Sequence, residues 1–248
     1  DAVIIAEGVG SSTRELVFPY RNHPRWMDLA IAYFTIPRTA GDDRLWRWYH
    51  ATGGRSVQLR PDRYGTTRAM LAVQKPPGGE QGWDATRQKQ WLRERFADAG
   101  WEAPRVLSGM EDTEDFYFDV LRQVRLAHWS TGRVVLTGDA AWCVTPIAGM
   151  GTTLAITGAY VLAGELSRAK TPTDAFIAYE RIMRPVVQSA QGIPKIVPRL
   201  MNPHSRLGVR VLHGVLRVAT SRAVRAVAAR IPKRRKSRSW LPDYEQRT

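Results

Sequence analysis

Short runs rich in apolar and β-branched residues, separated by polar stretches that contain Gly and Pro, recur through the amino-terminal half of the chain and are typical of β-strands. A strand is predicted over residues 1–6, and small residues at 7–14 predict a turn. A second strand is predicted over 27–37. Three further β-rich runs are separated by Gly, Pro and Asp residues, at 45–51, 56–61 and 66–75. This spacing predicts an antiparallel meander.

Further along the chain, apolar residues recur at helical spacing. This spacing predicts a helix over 84–99 with Gly100 as its C-cap, and helices over 151–168 and 172–184 with Pro185 kinking or restarting the latter. Between these helices, 116–124 is β-rich and 132–137 is a short apolar strand. Residues 206–230 form an arginine-rich helical stretch with an apolar stripe at Val209, Leu212, Leu216, Ala219, Ala223 and Val227.

The segment after the apolar strand has the residues of a ligand site. Gly138 and Asp139 follow the strand directly, and open α/β sheets bind ligands at this edge. The Asp139 carboxylate is an acceptor suited to sugar or polyol hydroxyls. Pro146 directs the loop, and Gly149 and Gly151 expose the backbone where a helix begins, so free N–H groups can face an anionic group. The segment therefore predicts a site for one planar, partly anionic ligand.

Positive charge is concentrated at one end of the chain. The 248 residues carry a formal charge of +14, and 15 Lys or Arg but no Asp or Glu lie between Arg181 and Leu241. The remainder is nearly neutral, unlike a diffusely basic nucleic-acid binder, and no nucleic-acid partner is expected. A docking helix is the favoured interpretation of 206–230. Weak peripheral binding of 206–238 to an anionic membrane is the main alternative, and nucleic-acid binding is a further one.

Two features of the sequence bear on where the protein is located in the cell. The single cysteine, Cys143, excludes an internal disulfide and is predicted to be a buried small residue. Residues 140–164 carry no charge over a length that could span a bilayer. Pro146 and several glycines interrupt this stretch, so a buried strand, loop and helix is predicted instead. No signal peptide is recognised, and a cytoplasmic location, with peripheral membrane association as an option, is expected.

Two motifs resemble those of a known family. Residues 1–14, with Glu7, Gly8, Ser11 and Arg14, resemble an Asp-Gly motif, and residues 138–142, with the later glycines and Leu162-Ala163, resemble a Gly-Asp motif. Both are found, in this order, in the FAD-dependent monooxygenases related to para-hydroxybenzoate hydroxylase and the tetracycline-inactivating monooxygenases. The resemblance implies an α/β, FAD/NAD(P)-binding fold of the para-hydroxybenzoate hydroxylase type, with a β-meander substrate domain and carboxyl-terminal helices.

The resemblance also implies the cofactors and the reaction. Such an enzyme would use FAD, with NAD(P)H as co-substrate and O₂, to hydroxylate or oxidise a small, aromatic or polycyclic molecule. Asp139 would bind the ribityl chain of the flavin. The segment with Pro146, Gly149, Met150, Gly151, Thr152 and Thr153 would face the flavin ring, and Glu7, Gly8, Ser11 and Arg14 would lie near the pyrophosphate. The flavin carries the chemistry, so no catalytic side chain is named, and no metal is implied.

The resemblance implies a domain division as well. Residues 1–20 and 125–190 would belong to the FAD-binding domain, 21–124 to the substrate domain, and 191–248 to a basic helical region and tail. The sequence lacks the βαβ unit with Gly-x-Gly-x-x-Gly that opens this family, so the fold is expected to be amino-terminally truncated. A separate amino-terminal half could be a partner, and a remnant that does not hold flavin is the alternative. Trp142 and Gly158 stand where His and Asp are common in the family.

Aromatic residues on one predicted strand are candidates for a substrate pocket. Trp46, Trp48 and His50 alternate, and residues two apart on a strand share a face. They could line a pocket for an aromatic or polycyclic substrate, or they could pack within the protein. His50 could shuttle a proton, although a single histidine is more often structural.

Overall fold

The computed structural model describes residues 1–19, 22–222 and 240–244. It divides into two compact units. The first contains Asp1–Arg25, Arg122–Pro194 and, of the described residues, 240–244; the second contains Trp26–Leu121 and, of the described residues, 195–222.

The described residues contain both strands and helices. The strands are β1 (Val3–Ile5), β2 (Arg25–Pro37), β3 (Arg47–Ala51), β4 (Arg55–Pro61), β5 (Thr66–Gln74), β6 (Tyr117–Gln123), β7 (Ser130–Thr131) and β8 (Val134–Leu136). The helices are α1 (Ser12–Val17), α2 (Ala85–Phe96), α3 (Ala103–Asp112), α4 (Asp139–Trp142), α5 (Gly151–Arg168), α6 (Pro172–Ala190), α7 (Ile196–Met201) and α8 (Arg206–Ala219).

A three-stranded sheet in the order β1-β8-β7 lies at the centre of the first unit. β1 runs parallel to β8, with Val3 opposite Val134 and Ile5 opposite Leu136, whereas β7 is antiparallel to β8. The backbone N–H of Thr137 continues the pairing by donating to the carbonyl of Ile5 at 2.9 Å. Because β1 and β8 are parallel, the turns that follow them leave the same edge of the sheet.

Three aromatic side chains form the core beside this sheet. The ring centroids of Trp129 and Trp142 are 4.6 Å apart, and the Tyr179 ring lies 6.0 and 5.9 Å from them. The Tyr179 hydroxyl donates to the side-chain oxygen of Thr137 at 2.9 Å. This bond satisfies the polar end of a buried ring and attaches α6 to the end of β8, close to Gly138.

The second unit is built on a five-stranded sheet in the order β3-β4-β5-β2-β6. α2 and α3 cover one face, where buried helix residues such as Leu92, Phe96 and Met110 pack with sheet residues such as Phe34 and Leu71. Along β2, the residues of this core are alternate positions. The intervening positions therefore lie on the opposite face of the sheet.

Most predicted strands are confirmed, and α5 has the predicted bounds. The predicted antiparallel meander is confirmed, because β3, β4 and β5 pair in sequence order. β2 joins this sheet beside β5 and not beside β3. Nine residues of each strand are in register, from Leu29 opposite Gln74 to Pro37 opposite Thr66. This pairing is longer than any that the five-residue β3 could offer.

Three helix boundaries also differ from the predictions. The predicted turn over 7–14 gives way to α1 at Ser12, because the Ser11 side chain caps the helix. α2 ends with Ala97 as its C-cap, before Gly100. α6 continues through Pro185 to Ala190, where Val187 and Ala190 are buried. Burial there outweighs the backbone hydrogen bond that proline cannot make.

Three short helices, α3, α4 and α7, were not predicted, since segments of ten residues or fewer show little helical periodicity. The predicted helical positions Ala223 and Val227, and the basic run 233–236, lie outside the described residues. Among the described residues, no helix combines the length and the apolar composition needed to cross a bilayer, and 140–164 is divided between α4, a short 3₁₀ turn and α5.

Candidate functional site

The turn after β1 is organised by the carboxylate of Glu7. The Ser11 hydroxyl donates to Oε2 at 2.7 Å, the Thr13 backbone N–H donates to the same oxygen at 3.1 Å, and the Thr13 hydroxyl donates to Oε1 at 2.5 Å. The bond from the Thr13 hydroxyl, then that from Ser11 and then that from the Thr13 N–H lower the pKa of Glu7. Gly8 lies within this turn, which is therefore held by its own side chains.

Arg14 joins this turn to the second motif. Its side chain is only 3% exposed. The guanidinium donates to the carbonyl of Val9 at 3.0 Å and to the carbonyl of Ala140 at 3.2 Å. Ala140 follows Asp139 directly, so two motifs separated by 126 residues in sequence meet at one edge of the parallel sheet.

Gly138 and Asp139 form a sharp turn between β8 and α4. Gly138 has φ +60° and ψ −147°, a conformation that is essentially reserved for glycine. Asp139 is exposed to solvent, whereas Ala140 is buried. Desolvation by the surrounding protein raises the pKa of Asp139, although a hydrogen bond from the Cys143 side chain opposes this rise. Asp139 therefore presents an acceptor at a partly dehydrated surface.

The first turn of α5 is open. The loop before it passes through the 3₁₀ turn Pro146–Ala148 and the exposed residue Gly149. Met150 is the N-cap and makes no side-chain capping bond. The first N–H groups of an 18-residue helix therefore lack a capping side chain, and the exposed Thr152 and Thr153 lie in the same turn. Such a helix end attracts negative charge.

Thr145 lies in the loop between α4 and α5 and was not among the predicted site residues. Its φ of +69° and ψ of 153° lie in a region that is strained for a β-branched residue. The side chain is 3% exposed, and its hydroxyl oxygen has no hydrogen-bond partner among the described residues. The only signal in the sequence was its position before Pro146, which disfavours helical backbone.

α4 lies alongside the first turns of α5. A Cβ atom placed on Gly138 would lie 4.0 Å from the Cβ of Ala155, and one placed on Gly158 would lie 2.9 Å from the Trp142 ring. The Trp142 indole therefore occupies the space that a side chain at position 158 would need. Gly158 and Trp142 therefore match each other in size, and the packing of α4 on α5 places the Gly138–Asp139 turn near the start of α5.

The predicted substrate residues belong to the second unit. Trp46 precedes β3 and is exposed, and the rings of Trp46 and Trp48 are 5.3 Å apart. The Trp48 and His50 rings are 6.1 Å apart. His50 is buried, and its Nδ1 lies 3.2 Å from Nε2 of His213. Burial and then the neighbouring His213 lower the pKa of His50.

The face of the sheet that carries Trp48 also carries a row of side chains from neighbouring strands. Trp48 is opposite Gln58, Gln58 is opposite Met70, and Met70 is opposite Tyr33. Tyr33 in turn lies 6.4 Å from the Tyr117 ring. A cavity of about 370 Å³ opens here, and its lining includes Tyr33, Tyr117, Arg60 and Arg68. This face thus combines aromatic rings with arginine side chains.

The sequence matches a family described as the FAD binding domain over residues 2–191. A flavin-dependent monooxygenase from an unknown prokaryote is 37% identical over 195 residues, which are 77% of this chain and 50% of that protein. The FAD-dependent monooxygenase asL6 of Sarocladium schorii is 31% identical over 256 residues, which are 99% of this chain and 60% of the relative.

The solved structures of two proteins are also similar to this chain. The tetracycline destructase Tet(55) is 32% identical with a TM-score of 0.74, and the match covers 88% of this chain and 60% of that one. HpxO of Klebsiella pneumoniae, complexed with FAD and uric acid, is 19% identical with a TM-score of 0.67, over 92% of this chain and 58% of that one. The second similarity concerns the fold alone. The chain spans 50% to 60% of the length of these two monooxygenases and two structures.

Proposed function

Because the chain belongs to the FAD binding domain family of flavin-dependent monooxygenases, with a para-hydroxybenzoate hydroxylase-like fold, we propose that it serves in FAD- and NAD(P)H-dependent oxygenation of a small aromatic or polycyclic molecule. One observation carries the proposal. The bond from Arg14 to Ala140 joins the turn after β1 to the Gly138–Asp139 turn, beside the uncapped start of α5.

The residues at this edge fit the parts of FAD. Asp139 offers the acceptor that a ribityl hydroxyl needs, and the start of α5 offers N–H groups to the negatively charged edge of the flavin ring. The orphaned Thr145 hydroxyl is a further hydrogen-bonding group close in sequence. Cβ atoms added at Gly149 and Gly151 would meet nothing within 4 Å, so the backbone there is accessible.

FAD supplies the redox chemistry when it is bound, and the chain positions it. Asp139 would accept hydrogen bonds from the ribityl chain. The dipole of α5 would stabilise negative charge at its N-terminus. Ser11 and Arg14 would act on the pyrophosphate side, where Glu7 and Gly8 shape the turn. Arg14, which is buried, would act by holding both motifs in place and not by contact with the substrate.

We further propose that the exposed aromatic face of the second unit binds the substrate. Trp46, Trp48 and Tyr33 offer flat apolar surfaces, and Arg60 and Arg68 offer cationic donors. Arg68 is already paired with Asp115 at 2.9 Å. Arg60 lies over the Trp46 ring, 5.8 Å from its centroid. This combination favours a planar molecule that carries an anionic or enolic oxygen.

The first sheet also has a surface that could receive a further segment. β1 is an edge strand, and Val3 and Ile4 are each about half exposed, although parallel sheets are usually covered on both faces. We propose that strands from a separate amino-terminal half pair with this edge and complete the dinucleotide-binding sheet.

The cofactor assignment is tested by FAD titration, followed by quenching of flavin fluorescence. The chain is titrated alone and after co-expression with the unmatched part of a relative such as Tet(55). Loss of one hydrogen bond to a charged acceptor costs about 2 kcal/mol, so Asp139→Ala should weaken binding roughly 30-fold. The matched control is Asp112→Ala, which alters an exposed aspartate of the second unit. Equal FAD affinity of the Asp139→Ala variant and the control would contradict the assignment.

The substrate face is tested with tetracycline as a polycyclic probe, because solved relatives are tetracycline destructases. Binding is followed by tryptophan fluorescence of the same FAD-containing preparation. Trp48→Leu and Arg60→Gln should each weaken binding about tenfold. Trp101→Leu alters an exposed ring stacked on Tyr49 and should leave it unchanged. If the preparation holds FAD but binds neither tetracycline nor other polycyclic aromatic acids, the substrate proposal is wrong.

A further inference from the structure

α8 is attached to the second unit mainly at its beginning. The carbonyls of Pro203 and His204, just before the helix, accept hydrogen bonds from the N–H groups of Gly54 and Gly53 at 3.3 and 2.8 Å. Ser205 caps the helix by accepting from the Gly208 N–H at 3.0 Å. Further along, His213 reaches His50. No residue of α8 is fully buried, so the helix lies on the surface of its unit.

One side of α8 is an exposed apolar stripe. It consists of Leu207, Val211, Val215 and Val218, which are 70%, 56%, 59% and 64% exposed. Their spacing of three or four residues places them on one face of the helix. Transfer of a large apolar side chain out of water is favourable, and these four side chains remain in water. A continuous stripe of four exposed apolar side chains therefore marks a docking surface.

The neighbouring side of the helix is basic. Arg206, Arg210 and Arg217 recur at helical spacing, and all three are exposed. Arg206 and Arg210 also line a cavity of about 380 Å³ together with Thr52 and the Arg55–Asp98 pair. Asp98 is the one carboxylate in this lining, and Arg55 already neutralises it.

We propose that α8 docks in the plane of an anionic membrane surface. The apolar stripe would enter the boundary between headgroups and acyl chains, and the three arginines would contact lipid phosphates. Charge complementarity selects this occupant. Between Arg181 and Leu241 the sequence has 15 Lys or Arg and no acidic residue. A second copy would bring like charges together, and nucleic acid would leave the apolar stripe in water.

The test is co-sedimentation of the 248-residue chain with vesicles of phosphatidylcholine alone or with 30% phosphatidylserine. We expect binding to the anionic vesicles only, reduced by high salt. Each arginine near such a surface contributes about fivefold in affinity, so replacing Arg206, Arg210 and Arg217 with Gln should weaken binding on the order of 100-fold. Leu207→Gln combined with Val211→Gln should weaken it at least tenfold.

Matched controls separate the helix from total charge and from the basic tail. Replacing Arg44, Arg63 and Arg133 with Gln removes three exposed charges outside the basic stretch. Leu16→Gln with Ile177→Gln removes two exposed apolar residues elsewhere. Both controls should bind within threefold of the parent chain.

Four results would overturn the proposal. They are absence of sedimentation with anionic vesicles, equal binding to neutral vesicles, unchanged binding of either α8 variant, and self-association without lipid that the apolar α8 variant abolishes. Tighter binding to duplex DNA, lost in the arginine variant but not in the apolar variant, would assign the helix to nucleic acid instead.

Discussion

Replacing Arg14 with methionine tests the link between the two motifs. Methionine keeps most of the aliphatic volume but removes the donors to Ala140 and Val9. A hydrogen bond from a charged donor contributes about 1.5–3 kcal/mol, and the contact with half-exposed Glu15 adds less than about 1 kcal/mol. Allowing for the favourable burial of the methionine side chain, we expect a loss of about 3 kcal/mol in the free energy of unfolding of the first unit.

Cys143 provides a readout that is specific to this unit. It is the only cysteine in the sequence, and it is buried in the first unit. Its rate of reaction with a thiol reagent in the native state reports opening of its surroundings. A loss of about 3 kcal/mol should accelerate labelling by roughly 100-fold.

The control is Arg133→Met, which alters an exposed arginine of the same unit and should leave the rate unchanged. Labelling of the Arg14 variant within fivefold of the parent chain would refute the view that this side chain holds the motifs together.

Three further changes have defined expected outcomes. Gly158→Ala places a methyl group 2.9 Å from the Trp142 ring. It should lower the urea midpoint, because about 1–3 kcal/mol of overpacking exceeds the gain in helix propensity. Trp142→Phe should partly restore the midpoint, and a higher midpoint in Gly158→Ala alone would contradict the packing. Thr145→Gly should raise the free energy of unfolding by about 1 kcal/mol, because glycine tolerates the positive φ and the unpaired hydroxyl is removed. Urea unfolding measures this change, and a lower free energy of unfolding would show that the backbone at Thr145 is not strained. The pKa of His50 is lowered from 6.5 in the folded chain, so the unfolded chain binds a proton at higher pH and stability should fall as pH drops below about 6.5. The urea midpoint should fall less steeply with pH in His50→Gln. If the two midpoints fell in parallel, this role of His50 would be wrong.

Local patterns predicted the elements of this fold well. The β-rich runs of β4 and β5 and the extent of α5 from Gly151 to Arg168 are properties of short segments, and they were predicted correctly. Asp139 at the end of a strand and the open start of α5 were also found, because strand, turn and helix follow one another directly in the sequence.

Features that depend on distant segments were not predictable. The pairing of β2 with β5 joins residues that are about 30 to 45 positions apart, and several registers are compatible with two apolar strands. The family resemblance singles out Arg14, but nothing in the sequence shows that its side chain is buried against Ala140. The strained backbone of Thr145 likewise has no signature in a threonine. Such residues become visible only when tertiary packing overrides local preference.

The central claim is that residues 7–14 and 138–153 form one flavin site, and hydrogen exchange tests it most directly. Exchange is measured with and without FAD in the preparation that retains the cofactor. The account predicts that FAD slows exchange of amides in both segments, most strongly at the first N–H groups of α5. If FAD is bound and both segments exchange at unchanged rates, the flavin lies elsewhere and the account is wrong.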